Sequence, residues 1–108
     1  MRTRAFIRAT AIRVAAIAAL AAAPAVLAGD PPAQYAASCG HCHAVGVAGA
    51  PETGNVDAWA KRMAKDGGMD ALVASVREGL GAMPPGGLCN SCSDEDNVAL
   101  ITYMATAQ

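Results

Sequence analysis

Aromatic residues are scarce in this sequence: one tryptophan, two tyrosines and one phenylalanine among 108 residues. Phe6 lies in the N-terminal segment, so the rest of the chain keeps only Tyr35, Trp59 and Tyr103. A domain of about 80 residues is already marginal in the surface it can bury. Much of its apolar content is alanine, which adds little area. The sequence therefore excludes a large aromatic core and predicts that a cross-link or a bound apolar group completes the interior.

The N-terminal segment combines a basic start with an apolar run. The basic residues are Arg2, Arg4, Arg8 and Arg13, and the apolar run covers residues 14–28 and ends in small side chains suited to signal peptidase. The run contains Pro24 and is shorter than the roughly 20 residues that a membrane span needs. We therefore expect residues 1–28 to be a cleaved signal peptide that exports the chain to the periplasm. The alternative is an uncleaved anchor that holds the domain on the periplasmic side of the membrane.

Acidic residues dominate the remaining domain, residues 29–108. It contains four basic and nine acidic residues, a net charge of −5. A negative domain of this size argues against nucleic acid as a partner and favours partner proteins with a basic docking face.

Strand patterns are missing as well, and apolar residues recur with helical spacing instead. Helices are expected at residues 33–40, 57–66 and 69–78, and from Ser93 to about Thr106. Glycines end the second and third helices, and Ser93 with Asp96 forms a capping-box-like start for the last one. The residues expected to face the interior are Leu72, Val73, Val76, Val98, Leu100, Ile101 and Met104. The predicted fold class is all-α, with four short helices in one small domain.

The clearest motif is Cys39-Gly40-His41-Cys42-His43, a C-x-x-C-H arrangement typical of c-type haem attachment. Residues three apart on one helical turn fall on the same side, so Cys39 and Cys42 can form thioethers to the two vinyl groups of one haem. His43 follows at once and can ligate the iron. The motif thus predicts one covalently bound haem c, which would also supply the apolar body that the interior lacks.

A methionine is expected as the second axial ligand. The domain contains Met63, Met69, Met83 and Met104. Only Met83 lies in the irregular segment 80–88, about 40 residues beyond His43; the other three lie in predicted helices. Pro84 and Pro85 stiffen this segment and reduce the entropy lost when a ligand is fixed. We predict Met83 as the ligand, with a five-coordinate iron as the alternative.

Cys89 and Cys92 form a second C-x-x-C pair. In the oxidising compartment that the signal peptide implies, a disulfide is the expected state. Two alternatives remain open: a redox-active dithiol, and a zinc module that uses both cysteine pairs. The zinc interpretation leaves His43 and the Met83 segment without a role.

Together these features resemble the class I c-type cytochromes, most closely the cytochrome c-five family. The matching pieces are Tyr35 through His43, Gly46 through Pro51, Ala58-Trp59, Ala82-Met83-Pro84-Pro85 and the Cys89–Cys92 pair. The resemblance implies thioethers at Cys39 and Cys42, axial ligands His43 and Met83, a hydrogen bond from His43 to the Pro51 carbonyl, a Cys89–Cys92 disulfide, and a haem propionate near Trp59 or Arg62.

The predicted function is that of an exported single-haem electron carrier, not an enzyme. It would dock transiently on redox partner proteins through the exposed haem edge, where an apolar patch of Val45, Val47, Ala48 and the Met83 segment is expected. The alternatives are a haem subunit of a larger oxidoreductase, a five-coordinate haem enzyme and the zinc module. The sequence offers no acid–base cluster for haem enzymology, which counts against the second of these.

Overall fold

Four α-helices form the described part of the chain. The computed structural model describes residues 29–106, with Ala19 and Gln108; the predicted signal peptide, apart from Ala19, lies outside the described residues. The helices are α1 (Gly40–His43), α2 (Val56–Asp66), α3 (Met69–Glu78) and α4 (Asp94–Met104), and a 3₁₀ turn, Val47–Gly49, follows α1. No strand and no helix long and apolar enough to cross a membrane occur in these residues. The all-α prediction is confirmed.

The prediction of a first helix at residues 33–40 is wrong: α1 overlaps that range only at Gly40 and continues to His43. Residues 33–39 form consecutive turns, and the regular helix begins only at Gly40. The backbone N–H groups of Ser38 and Gly40 both donate to the Tyr35 carbonyl, at 3.2 and 2.8 Å. Because two donors share one carbonyl, the regular i to i−4 pattern does not develop before Gly40. A side chain at Gly40 would lie only 3.0 Å from that carbonyl oxygen, so glycine permits the close approach.

Helices α2 and α3 begin and end within one residue of their predicted limits. The Asn55 side chain accepts a hydrogen bond from the Ala58 N–H at 3.1 Å, which caps the start of α2. Gly67 ends the helix in the left-handed conformation, with φ of 103°. Gly68 then precedes α3, and Gly79 follows it. These boundaries depend on local residue types, and for that reason they could be predicted from the sequence.

The capping box of α4 is present as predicted. The Ser93 hydroxyl accepts from the Asp96 N–H at 3.1 Å, and the Asp96 carboxylate accepts from the Ser93 N–H at 2.9 Å. The buried side of α4 consists of Asn97, Leu100, Ile101 and Met104. Val98 was predicted on this side and is exposed, because the inward stripe follows the i, i+3, i+4, i+7 spacing that starts at Asn97.

The apolar core is small. Among the described residues it comprises Leu100 and a cluster of five side chains that pack together: Trp59, Leu72, Val73, Ile101 and Met104. Tyr35 and Tyr103 meet edge to face at its border, with ring centroids 4.9 Å apart, and so join the N-terminal turns to α4. So few buried side chains do not fill the centre of the domain, which leaves room for a bound apolar group.

The segment between α3 and α4 is held by its own backbone. Leu80 and Met83 exchange two backbone hydrogen bonds, both of 3.0 Å, and the Gly86 N–H donates to the Val76 carbonyl at 2.7 Å. A disulfide joins Cys89 and Cys92 directly before the Ser93 cap. Met83 therefore lies in a short loop that is closed by its own backbone pair and held to α3 by the Gly86–Val76 hydrogen bond.

Two glycines of this loop allow a matched test of that backbone packing. Gly79 has φ of 81° and ψ of 156°, and an added Cβ would lie 2.9 Å from the Met83 carbonyl oxygen and from the Pro85 nitrogen. Gly81 has φ of 58° with nothing within 4 Å of an added Cβ. We expect Gly81→Ala to lower the free energy of unfolding by about 1 kcal/mol and Gly79→Ala by about 3 kcal/mol or more. Urea unfolding measures both, and equal losses would contradict the packing described.

The disulfide should stabilise the domain modestly. In the loop-entropy model, a ring as short as Cys89–Cys92 contributes about 2 kcal/mol. We expect Cys89→Ser combined with Cys92→Ser to lower the free energy of unfolding by about this amount, measured by urea unfolding. The wild-type protein with this bond reduced serves as the control and should match the double variant. An unchanged midpoint in both samples would show that the bond contributes nothing.

Candidate functional site

A cavity of about 400 Å³ occupies the centre of the domain. It is lined mainly by apolar side chains from α2, α3, α4 and the loop that follows α3. The four residues that the sequence singled out for covalent attachment and ligation, Cys39, Cys42, His43 and Met83, all line it. The fold thus brings together His43 and Met83, which are about 40 residues apart in the chain.

The His43 ring is held in one orientation. Its Nδ1 lies 2.8 Å from the Pro51 carbonyl oxygen. A carbonyl oxygen can only accept, so Nδ1 carries the proton and donates it, and Nε2 is left with its lone pair. The ring also packs against Trp59, with centroids 5.3 Å apart. A metal-ligating histidine usually has its other nitrogen bound in this way.

Three consecutive residues, 51–53, hold His43 and Trp59 in place. The Pro51 carbonyl accepts from the His43 ring, the Glu52 carbonyl accepts from the Trp59 indole N–H at 3.0 Å, and the Thr53 N–H donates to the His43 carbonyl at 2.7 Å. The indole has only one N–H. The Trp59 indole N–H is thus bound to the Glu52 carbonyl, and its ring lines the cavity. The expected approach of Trp59 or Arg62 to a haem propionate stays a prediction.

Arg62 lines the same cavity, one helical turn beyond Trp59. Within the part of the chain that the structure describes, the only ion pair joins Arg77 to Asp94, and the Arg62 guanidinium makes no hydrogen bond. Its position therefore fits the predicted role near a propionate, which remains a prediction.

The structure narrows the choice among the four methionines. Met83 and Met104 line the cavity, whereas Met63 and Met69 pack on the outside of the core. Met104 is 3% exposed and belongs to the packed interior of α4. Met83 is half-buried in its loop. Met104 is thus the one rival to Met83 within the cavity.

The two cysteine pairs lie in different surroundings. Cys39 and Cys42 are free, half-buried thiols in the cavity lining, and Cys89 and Cys92 are consumed in their disulfide outside it. The described residues contain no group of three or more histidine, cysteine or acidic side chains that could hold a metal ion. A zinc module built from both pairs does not fit this arrangement. An apolar cavity with two thiols, an imidazole and a thioether does fit a haem.

The sequence did not single out several polar side chains of the lining, among them Asp66 and Asn97. Asp66, at the end of α2, has a buried carboxylate oxygen that finds no hydrogen-bond partner in the described part of the chain, and Asn97 in α4 is only 5% exposed. Asp66 follows Arg62 by four residues, a spacing that places both on one face of a helix. That spacing is the signal that could have identified it.

The rim of the cavity carries exposed apolar side chains. Val47, Leu80 and Leu88 line the opening and are 48%, 51% and 54% exposed. Val45 and Ala48, which the sequence placed in the same patch, are exposed too. Ala48 and Leu88 have positive φ values of 52° and 64°. Two non-glycine residues with strained backbone conformations therefore lie on this rim. Such backbone strain is often found at functional sites.

Comparisons with known proteins agree with this site. Residues 27–104 match the family model described as cytochrome c oxidase, cbb3-type, subunit III. The chain is 43% identical over 67 residues to cytochrome c5 of Azotobacter vinelandii, which covers 62% of this chain and 81% of that protein. A mono-haem ferrocytochrome c from Shewanella putrefaciens is 50% identical, with a TM-score of 0.60 over 70% of this chain and 91% of that one.

A further structural relative comes from an electron transfer complex of nitrite reductase with cytochrome c. It is 43% identical, with a TM-score of 0.58, and the match covers 67% of this chain and 85% of that chain. The family match and these relatives are all haem proteins of the c type. The chain therefore belongs to the class I c-type cytochromes, close to cytochrome c5, and is a small electron carrier with one covalently bound haem c.

Proposed function

We propose that this protein carries single electrons in the periplasm on a haem c whose iron is ligated by His43 and Met83. Cys39 and Cys42 would hold the porphyrin through thioethers. The observation that carries the proposal is that these four residues, from two distant parts of the sequence, line one apolar cavity. When bound, the haem supplies the centre that accepts and releases the electron.

His43 contributes a fixed ligand. The hydrogen bond from Nδ1 to the Pro51 carbonyl fixes the orientation of the ring and keeps Nε2 available for iron. Trp59 packs against one side of the ring and limits its rotation. A ligand that does not reorient between oxidation states lets the electron enter and leave with little rearrangement of the protein.

Met83 contributes the second ligand from a loop that is braced on both sides. The Leu80–Met83 backbone pair and the Gly86–Val76 hydrogen bond restrict its movement. With His43 and Met83 both holding the iron, no coordination position would remain for a substrate. This supports a carrier rather than an enzyme, in agreement with the small electron-transfer cytochromes among the relatives.

The exposed apolar rim supports transient docking on a redox partner. Val47, Leu80 and Leu88 line the opening of the cavity, and Val45, near Val47 in the chain, is exposed as well. One structural relative was solved in an electron transfer complex with nitrite reductase, and we propose a comparable short-lived encounter for this chain. Such redox interfaces are typically small and weak.

A second candidate is a haem subunit of a larger oxidoreductase. The family model that matches residues 27–104 describes an oxidase subunit, which is the observation that favours it. Purification from native membranes under mild conditions distinguishes the two: a subunit co-migrates with its complex, and a free carrier does not.

The identity of the second ligand is testable with two methionine variants. We expect Met83→Ala to keep the haem covalently attached but to vacate the sixth position, because alanine has no donor atom. The near-infrared sulfur-to-iron absorption band of the oxidised protein should then disappear. Met104→Leu, the control within the same cavity, should keep the band. The reverse pattern would identify Met104 as the ligand.

Attachment and export are tested together by mass. The exported protein should weigh as much as residues 29–108 plus one haem, and it should keep this mass after acid denaturation, because thioethers resist acid. Cys39→Ser combined with Cys42→Ser should lose the pigment. A mass that includes residues 1–28 would indicate a retained anchor instead.

A further inference from the structure

Two charged side chains line the cavity, and they do not pair. Arg62 and Asp66 lie one turn apart on α2, a spacing at which opposite charges usually attract each other. Among the described residues, however, the only ion pair is Arg77–Asp94. The buried oxygen Oδ2 of Asp66 has no hydrogen-bond partner within this part of the chain.

Two features of the Asp66 position raise the free energy of a carboxylate there. A buried carboxylate oxygen without a donor loses its hydration and gains nothing in return. Asp66 is also the last residue of α2, where the helix dipole disfavours negative charge. Asparagine would avoid the dipole penalty at the same volume. A carboxylate at such a position indicates a function rather than a contribution to stability.

Among the residues that the structure describes, no other charged side chain contributes to the lining. Helices α3 and α4 and the loop between them supply only neutral residues to it. The remaining titratable groups are the His43 imidazole, which donates to Pro51, and the thiols of Cys39 and Cys42. Lys65 and Asp70 flank Asp66 in sequence but are exposed and do not line the cavity. Asp66 and Arg62 therefore provide the permanent charges that a group in the cavity meets.

We propose that Asp66 is a potential-setting residue: its carboxylate favours the oxidised haem and lowers the reduction potential, and Arg62 acts in the opposite direction. This inference rests on the proposed placement of the haem in this cavity. Oxidised haem carries one more positive charge than reduced haem, so a nearby anion stabilises the oxidised form. For unit charges on the order of 10 Å apart in a partly buried site, the effect is about tenfold in the equilibrium constant for reduction.

The experiment is a spectroelectrochemical titration of the holoprotein. Asp66→Asn should favour reduction by about tenfold, which for one electron is a rise of about 59 mV. Arg62→Gln should shift the equilibrium by a similar factor the other way. Asp66→Glu keeps the charge and should stay near the wild-type potential. The matched controls Asp70→Asn and Lys65→Gln remove the same charges from exposed positions and should shift the equilibrium by less than about twofold.

The outcomes separate an electrostatic role from a structural one. A purely structural role for Asp66 would change the urea midpoint and leave the potential unchanged, whereas we expect Asp66→Asn to be at least as stable as the wild type. The shift should persist at high salt, because buried charges are screened weakly. An Asp66→Asn shift no larger than that of Asp70→Asn, or one in the opposite direction, overturns the proposal.

If His43 and Met83 do not ligate the iron, the result differs from a failure of the Asp66 proposal. Wild-type protein would then lack the sulfur-to-iron band before any charge is altered. Potentials are therefore compared among variants that keep the covalent haem and this band. If Asp66→Asn does not hold haem, the Arg62→Gln shift decides whether the cavity charges act on the iron.

Discussion

The hydrogen bond from the His43 ring to the Pro51 carbonyl is the constraint on which the rest of the site depends. It fixes the protonated nitrogen and so decides which nitrogen can bind iron. The next two residues extend the effect, because Glu52 accepts from the Trp59 indole and Thr53 donates to the His43 carbonyl. One short backbone segment thereby orients the His43 ring and the Trp59 ring packed against it, without a charged side chain.

The helices enclose the cavity more than they fill it. Trp59, Leu72, Val73, Ile101 and Met104 form a core that is small for a domain of this length, and the central space of about 400 Å³ adjoins most of them. A covalent haem buried there would supply much of the apolar contact area that aromatic side chains provide in other small domains. The cofactor would then contribute to folding as well as to electron transfer, which explains how the chain can contain so few aromatic residues.

Much of the fold and of the candidate site could be predicted from local chemistry. The spacing of Cys39, Cys42 and His43 indicated the cofactor, and the position of Met83 in a Gly/Pro-rich loop selected it as the candidate ligand. Glycines after α2 and α3 and the Ser93 capping box located the helix boundaries. The first helix was predicted in the wrong place, before Gly40 instead of after it, because the turns before Gly40 share the Tyr35 carbonyl in a way that residue propensities do not encode.

The sequence by itself determined the cofactor class, the helical fold and the residues available to hold the haem, since each depends on residue type and spacing along the chain. The tertiary structure alone decided which contacts form: the Trp59 indole binds the Glu52 carbonyl, Asn97 rather than Val98 faces inward, and Arg62 leaves Asp66 unpaired. A hydrogen bond or an ion pair forms over only 3 to 4 Å. Whether two groups come that close depends on how the helices pack.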